Sequence, residues 1–337
     1  MLPASYRVRD LEITPAVALA PMEGVTDLAF RRTLRGALSD VGGVQPGLVY
    51  SEFLASKGIA RGDRRVWELA AIDPDERPIA LQVYGRDPDL MAEAARLLEA
   101  TGASIIDINM GCPAKKVVCH SGGSALMREP ELALAVVRAV RAAIRVPLTV
   151  KMRSGFGPDE RNAPELARCF EAEGVDALTV HWRTRADGYG GTRDVTKVAE
   201  TVAAVRIPVL GNGDVLDVAT AEAMVAETGC AGIMIGRGAL ADPWCFDRLG
   251  AAMLGRTPAP VSRAQRGRLL FRYVEELDRL ERGSPERVLG KLKQLMKLYA
   301  GSLPEELGPA LRQEVLLAQT RAEALSAIRR RLEGSEP

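Results

Sequence analysis

The chain has 337 residues, of which 47% are hydrophobic and 26% are charged, and its formal net charge is +1. This is the composition of a soluble globular protein with room for one large domain and a smaller one. The net charge excludes the overall excess of basic residues that is typical of many nucleic-acid-binding proteins. No apolar run reaches the roughly 18 residues that a membrane span requires.

The five cysteines are scattered and odd in number, which argues against a disulfide framework and predicts a reducing, cytoplasmic setting. The N-terminus lacks the charged-then-apolar plan of a signal peptide. Cys112, Cys119 and His120 are spaced too widely for a zinc knuckle, and a second pair is missing. We therefore expect no metal and no membrane partner, and we expect a monomer.

Short apolar runs recur along the first three quarters of the chain, and amphipathic helical stretches, such as 87–100 and 130–144, lie between them. Eight such repeats predict a parallel sheet closed into a TIM (β/α)8 barrel, with an open doubly wound sheet as the rival. The segment after the first run, 21–24, is not the glycine fingerprint of a dinucleotide-binding fold. The apolar runs are 17–20, 48–51, 78–83, 104–109, 148–152, 177–181, 209–212 and 232–235.

The alternation of apolar runs and helical stretches ends after residue 256. A proline-rich linker, 257–260, leads into helical patterns without strand runs, which predicts a barrel domain at 1–255 and a small helical bundle at 256–337. Residues 263–297 contain ten Lys or Arg and five Asp or Glu. Arg287, Lys291, Lys293 and Lys297 can share one helix face, as a basic patch or as an ordinary solvated face. The helical patterns cover 263–282, 286–300, 305–319 and 321–333.

Polar residues follow every one of the eight apolar runs. Active sites of such barrels lie at the C-terminal ends of the strands, so these residues should converge on one mouth. A cysteine held between a glycine and a proline in one of these turns is better placed for chemistry than for packing. The strand-end residues are Pro21, Met22, Glu23, Glu52, Gln82, Asn109, Cys112, Lys151, Arg153, His181, Arg183, Asn212, Gly213, Asp214, Gly236 and Arg237.

The last two strand ends predict a phosphorylated ligand. Gly213 and Gly236 stand where barrels build phosphate sites from backbone N–H groups, and Arg237 can add a charge-assisted bond. A lysine facing the cavity, Lys151, would stabilise the reduced form of a flat heterocycle, and Gln82 matches its amide-like edge. Flavin mononucleotide (FMN) fits this description. The residues alone leave a Schiff-base role for Lys151 equally open.

Six segments, taken together, resemble the signature blocks of the tRNA-dihydrouridine synthases. They occur in the order and at the spacing of that family, over roughly residues 15–250, and the helical tail resembles the family's C-terminal domain. The resemblance implies a flavin-dependent barrel, fused to a tRNA-binding domain, that uses NADPH to reduce uridine to dihydrouridine. The segments are 20–27 (APMEGVTD), 107–113 (DINMGCP), 151–153 (KMR), 181–184 (HWRT), 212–214 (NGD) and 236–237 (GR).

The resemblance also assigns roles to individual residues. It implies that Cys112 protonates carbon 5 of the uracil after hydride reaches carbon 6, and a thiol, with an ordinary pKa of about 8.5, can be that general acid. The implied FMN contacts are Pro21, Met22, Glu23, Gln82, Lys151, His181, Asn212, Gly213, Asp214, Gly236 and Arg237. The implied substrate contacts are Asn109, Glu52, Arg183, Lys291, Lys293 and Lys297.

Two departures from the family pattern bear on the substrate. Trp182 replaces a usual glycine and would either stack on a base or fill space. The loop 117–123 carries fewer asparagine and basic residues than relatives do. The 20–25 block resembles the C-type bacterial subgroup and the 109–116 block the B-type.

The alternatives to a tRNA reductase are a flavin barrel acting on a free pyrimidine or other small molecule, and an RNA-binding protein without catalysis.

Overall fold

The predicted barrel is present. The computed structural model describes residues 1–114, 122–280 and 284–332. Eight parallel strands close in the order β10-β3-β4-β5-β6-β7-β8-β9, which confirms the TIM-barrel class. The strands are β1 Tyr6–Val8, β2 Leu11–Ile13, β3 Val17–Leu19, β4 Leu48–Ala55, β5 Ile79–Tyr84, β6 Ile105–Met110, β7 Leu148–Arg153, β8 Ala177–His181, β9 Val209–Asn212 and β10 Gly232–Ile235.

Helices cover the outside of the barrel, and a further group follows the last strand. The helices around the barrel are α1 Leu28–Ser39, α2 Ser56–Ala60, α3 Arg64–Leu69, α4 Pro88–Glu99, α5 Pro130–Ala143, α6 Ala163–Ala172, α7 Thr196–Ala204, α8 Val218–Thr228, α9 Arg237–Ala241 and α10 Cys245–Leu254. The helices of the tail are α11 Arg263–Leu280, α12 Pro285–Tyr299, α13 Gly308–Leu317 and α14 Arg321–Leu332. None of the described helices combines the length and apolar character that a membrane crossing requires.

Local sequence signals account for the helix starts. The Asp27 carboxylate accepts a hydrogen bond from the Phe30 N–H at 2.8 Å and so caps α1. Asp87 caps α4 in the same way, and Pro88 occupies the first helical position. The tail pattern predicted at 305–319 begins later, at Gly308, because Pro304 first accepts bonds from the N–H groups of Leu307 and Gly308 and closes a turn.

The barrel differs from the sequence prediction at two places. Strand β4 continues past the predicted end at residue 51, and its register shifts between Tyr50 and Phe53, so Glu52 lies on an irregular stretch within a strand. The antiparallel pair β1–β2 was not predicted. Its turn places Arg9 at φ 54, and the Tyr6 ring packs against Gly232, where an added Cβ would lie 3.1 Å away.

The helical tail packs directly on the barrel. The Phe30 ring on α1 meets the Tyr273 ring on α11 edge-on at a centroid distance of 6.3 Å. Arg272 on α11 donates to Asp40 at 3.0 Å. Buried apolar residues of barrel and tail form one continuous core. The division into domains at residue 256 stays a prediction, although residues 255–262 are outside any helix.

Candidate active site

The predicted strand-end residues converge on one mouth of the barrel. Each lies in the second half of a strand or shortly after its end, and adjacent strands bring several of them side by side. Asn109 is the register partner of Lys151, and His181 is the register partner of both Arg153 and Asn212. The mouth therefore gathers a thiol, an imidazole, amides and several cations.

A chain of buried amides runs under the cysteine turn. Asp107, on β6, accepts hydrogen bonds from Gln82 Nε2 at 2.6 Å and from Thr149 Oγ1 at 2.5 Å. The other end of the Gln82 amide, Oε1, accepts from Asn109 Nδ2 at 2.6 Å. Asn109 Oδ1 in turn accepts from the backbone N–H of Cys112 at 2.9 Å. Burial raises the pKa of Asp107 to about 6.

The turn carrying Cys112 is fixed by its backbone. The Gly111 carbonyl accepts from Arg153 Nε at 2.9 Å. The Cys112 carbonyl accepts from the Ser124 N–H at 3.2 Å and from its hydroxyl at 2.9 Å. The cysteine is partly exposed. The Cys112 backbone is thus held at the edge of the mouth, and the cysteine forms no disulfide.

Lys151 and His181 lie at the centre of the mouth. Burial lowers the pKa of Lys151 to about 8, with Arg153 adding to the effect. Among the described residues, no carboxylate or other acceptor lies within bonding distance of its ammonium. Burial lowers the pKa of His181 well below its usual range, and the cations around it act in the same direction. His181 is therefore neutral, and its Nδ1 accepts from the Arg183 N–H at 3.1 Å.

The phosphate-site residues form a compact group after β9 and β10. Gly213 has φ +114, and an added Cβ would lie 2.6 Å from the Trp182 indole. Asp214 accepts from Arg183 at 2.7 Å and from Arg237 at 2.6 Å. The Asp214 carboxylate is therefore occupied by two arginines rather than open to a ligand, and these arginines hold its pKa below the usual range despite burial.

The first, seventh and eighth strand ends use their backbone and side chains internally as well. Met22 N–H donates to Thr26 Oγ1 at 2.9 Å, and the Met22 thioether lies 3.6 Å from the position of a Cβ on Gly236. The Asn212 side chain donates to the Met234 carbonyl at 2.8 Å. Of the two residues next to Met22, Pro21 is partly exposed and Glu23 is exposed.

Trp182 does not offer a face to a base. Only 2% of it is exposed, and the Arg183 guanidinium lies 4.0 Å from its ring centroid. The space-filling alternative is therefore the correct one. Its indole Nε1 and Arg183 Nη1 are buried and lack a hydrogen-bond partner in the described part of the chain.

Lys291 lies on the predicted basic helix and also reaches the barrel. Its ammonium forms an ion pair with Asp27, and its side chain is only 21% exposed, so its contact with tRNA phosphate stays a prediction. Beside it, Glu52 Oε2 accepts from the Gly24 N–H at 2.9 Å, and burial raises the pKa of Glu52 to about 7. Lys293 is partly exposed and Lys297 is exposed.

Nothing in the sequence pattern indicates a role for Tyr189. It is 68% exposed, and the Arg237 guanidinium lies 5.4 Å from its ring centroid. The loop around it is held down because Arg153 donates to the Gly188 carbonyl at 3.0 Å and Arg183 donates to the Gly190 carbonyl. A tyrosine between glycines is typical of an ordinary loop. Only the bonds from Arg153 and Arg183 show that this loop lies at the mouth.

No cluster of three or more potential metal ligands exists in residues 1–114, 122–280 and 284–332. Cys119 and His120, and most of the loop 117–123, lie outside the described residues.

The chain is similar to a defined set of proteins. The family model described as Dihydrouridine synthase (Dus) matches residues 18–326. A probable tRNA-dihydrouridine synthase of Rhodobacter capsulatus is 38% identical over 320 residues, covering 95% of both chains. One of Rickettsia conorii is 41% identical over 246 residues, covering 72% of each. The tRNA-dihydrouridine synthase B of Yersinia pestis is 38% identical over 274 residues, covering 80% of this chain and 83% of that one.

Solved structures share the fold at much lower identity. A 2-naphthoyl-CoA reductase complex superposes with a TM-score of 0.54 at 14% identity, covering 76% of this chain and 52% of that one. Morphinone reductase superposes with a TM-score of 0.50 at 14% identity, covering 77% and 91%.

Proposed function

The chain belongs to the dihydrouridine synthase family and is a flavin-dependent oxidoreductase, and on that premise we propose that it reduces a D-loop uridine of tRNA with FMN and NADPH. The observation that carries the proposal is the pairing of Asn109 with Lys151 across adjacent strands, two residues before the Cys112 turn begins at Gly111. A proton source, Cys112, and a cation that can stabilise a reduced ring, Lys151, therefore lie at the same mouth of the barrel.

The residues at the mouth fit an anionic, ring-containing cofactor. The Lys151 ammonium has no partner among the described residues, and four cations crowd the neutral His181. An ammonium held in this way favours negative charge on a ligand ring. Because Gly213 has no Cβ, its backbone can approach a ligand closely, which suits a phosphate bound by backbone N–H groups.

FMN would be held by the strand-end residues already located. Lys151, Gln82 and His181 would contact the ring, and Gly213, Gly236 and Arg237 would receive the phosphate. Asp214 acts through Arg183 and Arg237, because both of its oxygens are already bonded to them. Pro21, Met22, Glu23 and Asn212 would complete the wall.

The residues of the chain divide the reaction between them. Hydride for carbon 6 of the uracil would come from the bound flavin, with NADPH as the reductant. The Cys112 thiol delivers the proton to carbon 5, and Asn109 orients the ring. General acids placed in this way typically contribute 10²–10⁴-fold to rate. The uridine must leave its stack to reach the mouth.

The tail supplies the grip on tRNA. Lys291, Lys293 and Lys297 would contact phosphates. Lys291 also fastens α12 to the barrel through Asp27. Arg183 and Glu52 would approach the substrate from the mouth. A free pyrimidine would need no such tail, which disfavours the small-molecule alternative. The odd number and scattered spacing of the cysteines, together with a tRNA substrate, support a cytoplasmic setting.

Mapping dihydrouridine in tRNA from cells with and without the protein tests the proposal. Loss of dihydrouridine at one D-loop position is the expected result, and an unchanged map contradicts it. With purified protein, Cys112→Ala should lower tRNA reduction by about 10²–10⁴-fold while the protein stays yellow. Cys169→Ala, at an exposed cysteine on α6, is the matched control and should retain activity.

A further inference from the structure

We propose that Asp107 is a positioning residue that sets the polarity of the buried amide chain and thereby holds Asn109 and the Cys112 turn in their working orientation. The effect of Asp107 on the reaction rests on the proposed function, whereas its effect on the Cys112 turn does not. The hydrogen bonds that carry it are features of the fold itself.

The two ends of the chain have fixed chemistry. An ionised carboxylate at Asp107 can only accept hydrogen bonds, and it accepts one from Gln82 Nε2 and one from Thr149 Oγ1. At the far end, the backbone N–H groups of Gly111 and Cys112 can only donate, and both reach Asn109 Oδ1, at 3.1 and 2.9 Å.

Only one orientation of the two amides satisfies both ends. Gln82 must turn its NH₂ toward Asp107, so its oxygen faces Asn109. Asn109 must then turn its NH₂ toward Gln82, so its oxygen faces the turn. Amide orientation is decided by such networks, and here each contact leaves no freedom to the next.

Burial makes any mismatch costly. Asp107 and Gln82 are fully buried, and Asn109 is 6% exposed, so water cannot replace a lost partner. A reversal of one amide would set donor against donor or acceptor against acceptor at both of its ends. The chain can therefore reverse only as a unit, which also costs the two bonds at the turn, and a carboxylate at position 107 forbids that reversal because it cannot donate to Gln82.

The consequence reaches the reacting groups. In the observed polarity Asn109 keeps one spare amide hydrogen, and Gln82 keeps one spare hydrogen and one spare lone pair. Reversal would exchange donor for acceptor on both side chains and would remove two bonds from the Cys112 turn. Asp107 thus acts on substrate and acid through Gln82 and Asn109, without touching either reacting partner.

Asp107→Asn is the direct test, because the new amide can donate to Gln82 and permit reversal. Backbone hydrogen exchange at Gly111 and Cys112 should accelerate at least tenfold, and tRNA reduction should fall by roughly 10–100-fold, the usual effect of losing a supporting residue. Thr149→Val is the matched control. It removes the other donor to Asp107 but leaves both amides in place, so exchange at the turn should stay within about threefold.

A double variant provides the rescue. Combining Asp107→Asn with Gln82→Glu moves the acceptor-only group one step along the chain, so Asn109 again has an acceptor to face. Exchange at Gly111 and Cys112 should return to the wild-type rate. Exchange that is equally fast in the single and double variants, or unchanged in Asp107→Asn, overturns the proposal. These rates need no substrate, so protected exchange in a protein that forms no dihydrouridine would reject the proposed function and leave the positioning role standing.

Discussion

Replacing Gly213 by alanine should damage the mouth of the barrel far more than an ordinary loop substitution does. The residue has φ +114, in a region that side-chain-bearing residues rarely adopt. A Cβ there would lie 2.6 Å from two atoms of the Trp182 indole and 2.9 Å from the His181 ring. Neither ring can move freely, since Trp182 is buried and the Arg183 guanidinium lies against it.

Two costs add at this position. Holding alanine in a glycine-only backbone conformation costs about 1–3 kcal/mol. Forcing a carbon into a well-packed site costs about a further 1–3 kcal/mol. The free energy of unfolding should therefore fall by about 2–6 kcal/mol. The protein should also retain less flavin, because relief of the clash displaces His181.

Urea denaturation followed by circular dichroism measures the loss of stability, and the ratio of flavin absorbance to protein absorbance measures retention. Gly62→Ala is the matched control, because Gly62 has φ +72 but no atom within 4 Å of an added Cβ. It should cost only about 1 kcal/mol. If the two variants lost the same stability, the close approach of Trp182 and His181 would not be the constraint on Gly213.

Two further predictions concern charged groups. In the flavin-free protein, the pKa of Lys151 is lowered from 10.5 to about 8, so between these values the unfolded chain binds more protons than the folded one and stability from this residue rises with pH. Lys151→Met should remove that rise in urea midpoints measured from pH 7 to 10.5, and parallel curves would contradict it. Asp27→Asn keeps a helix-capping side chain but breaks the ion pair with Lys291, which should cost about 1.5–3 kcal/mol in unfolding free energy. Lys293→Ala on the same helix should change it by less than about 0.5 kcal/mol, and equal losses would deny the ion pair a role.

The sequence alone predicted the barrel and the position of its mouth because both follow from local patterns. Apolar runs of four to eight residues define buried strands, and a polar residue at the end of each marks one face of the sheet. Helix 87–100 was predicted within one residue of α4 because Asp87 and Pro88 are strong start signals.

Features that depend on distant partners could not be predicted. Lys291 lies on a basic helix, and only the fold shows that its ammonium reaches Asp27, far back in the chain. The apolar pattern predicts that Glu52 follows the end of a strand, yet Glu52 lies inside β4, where the register shifts. Strands of three residues, such as β1, carry too little periodicity to be recognised.

The contact between α1 and α11 limits how the protein can be dissected. Gly36 on α1 faces Arg272 so closely that an added Cβ would meet the guanidinium at 2.2 Å, and Phe30 is buried beneath the same helix. A fragment ending at residue 255 would uncover this surface, although the sequence offers a convenient linker there. Expression of the barrel therefore requires the tail, which covers the apolar surface of α1. A soluble barrel without the tail would require new polar residues on that side of α1.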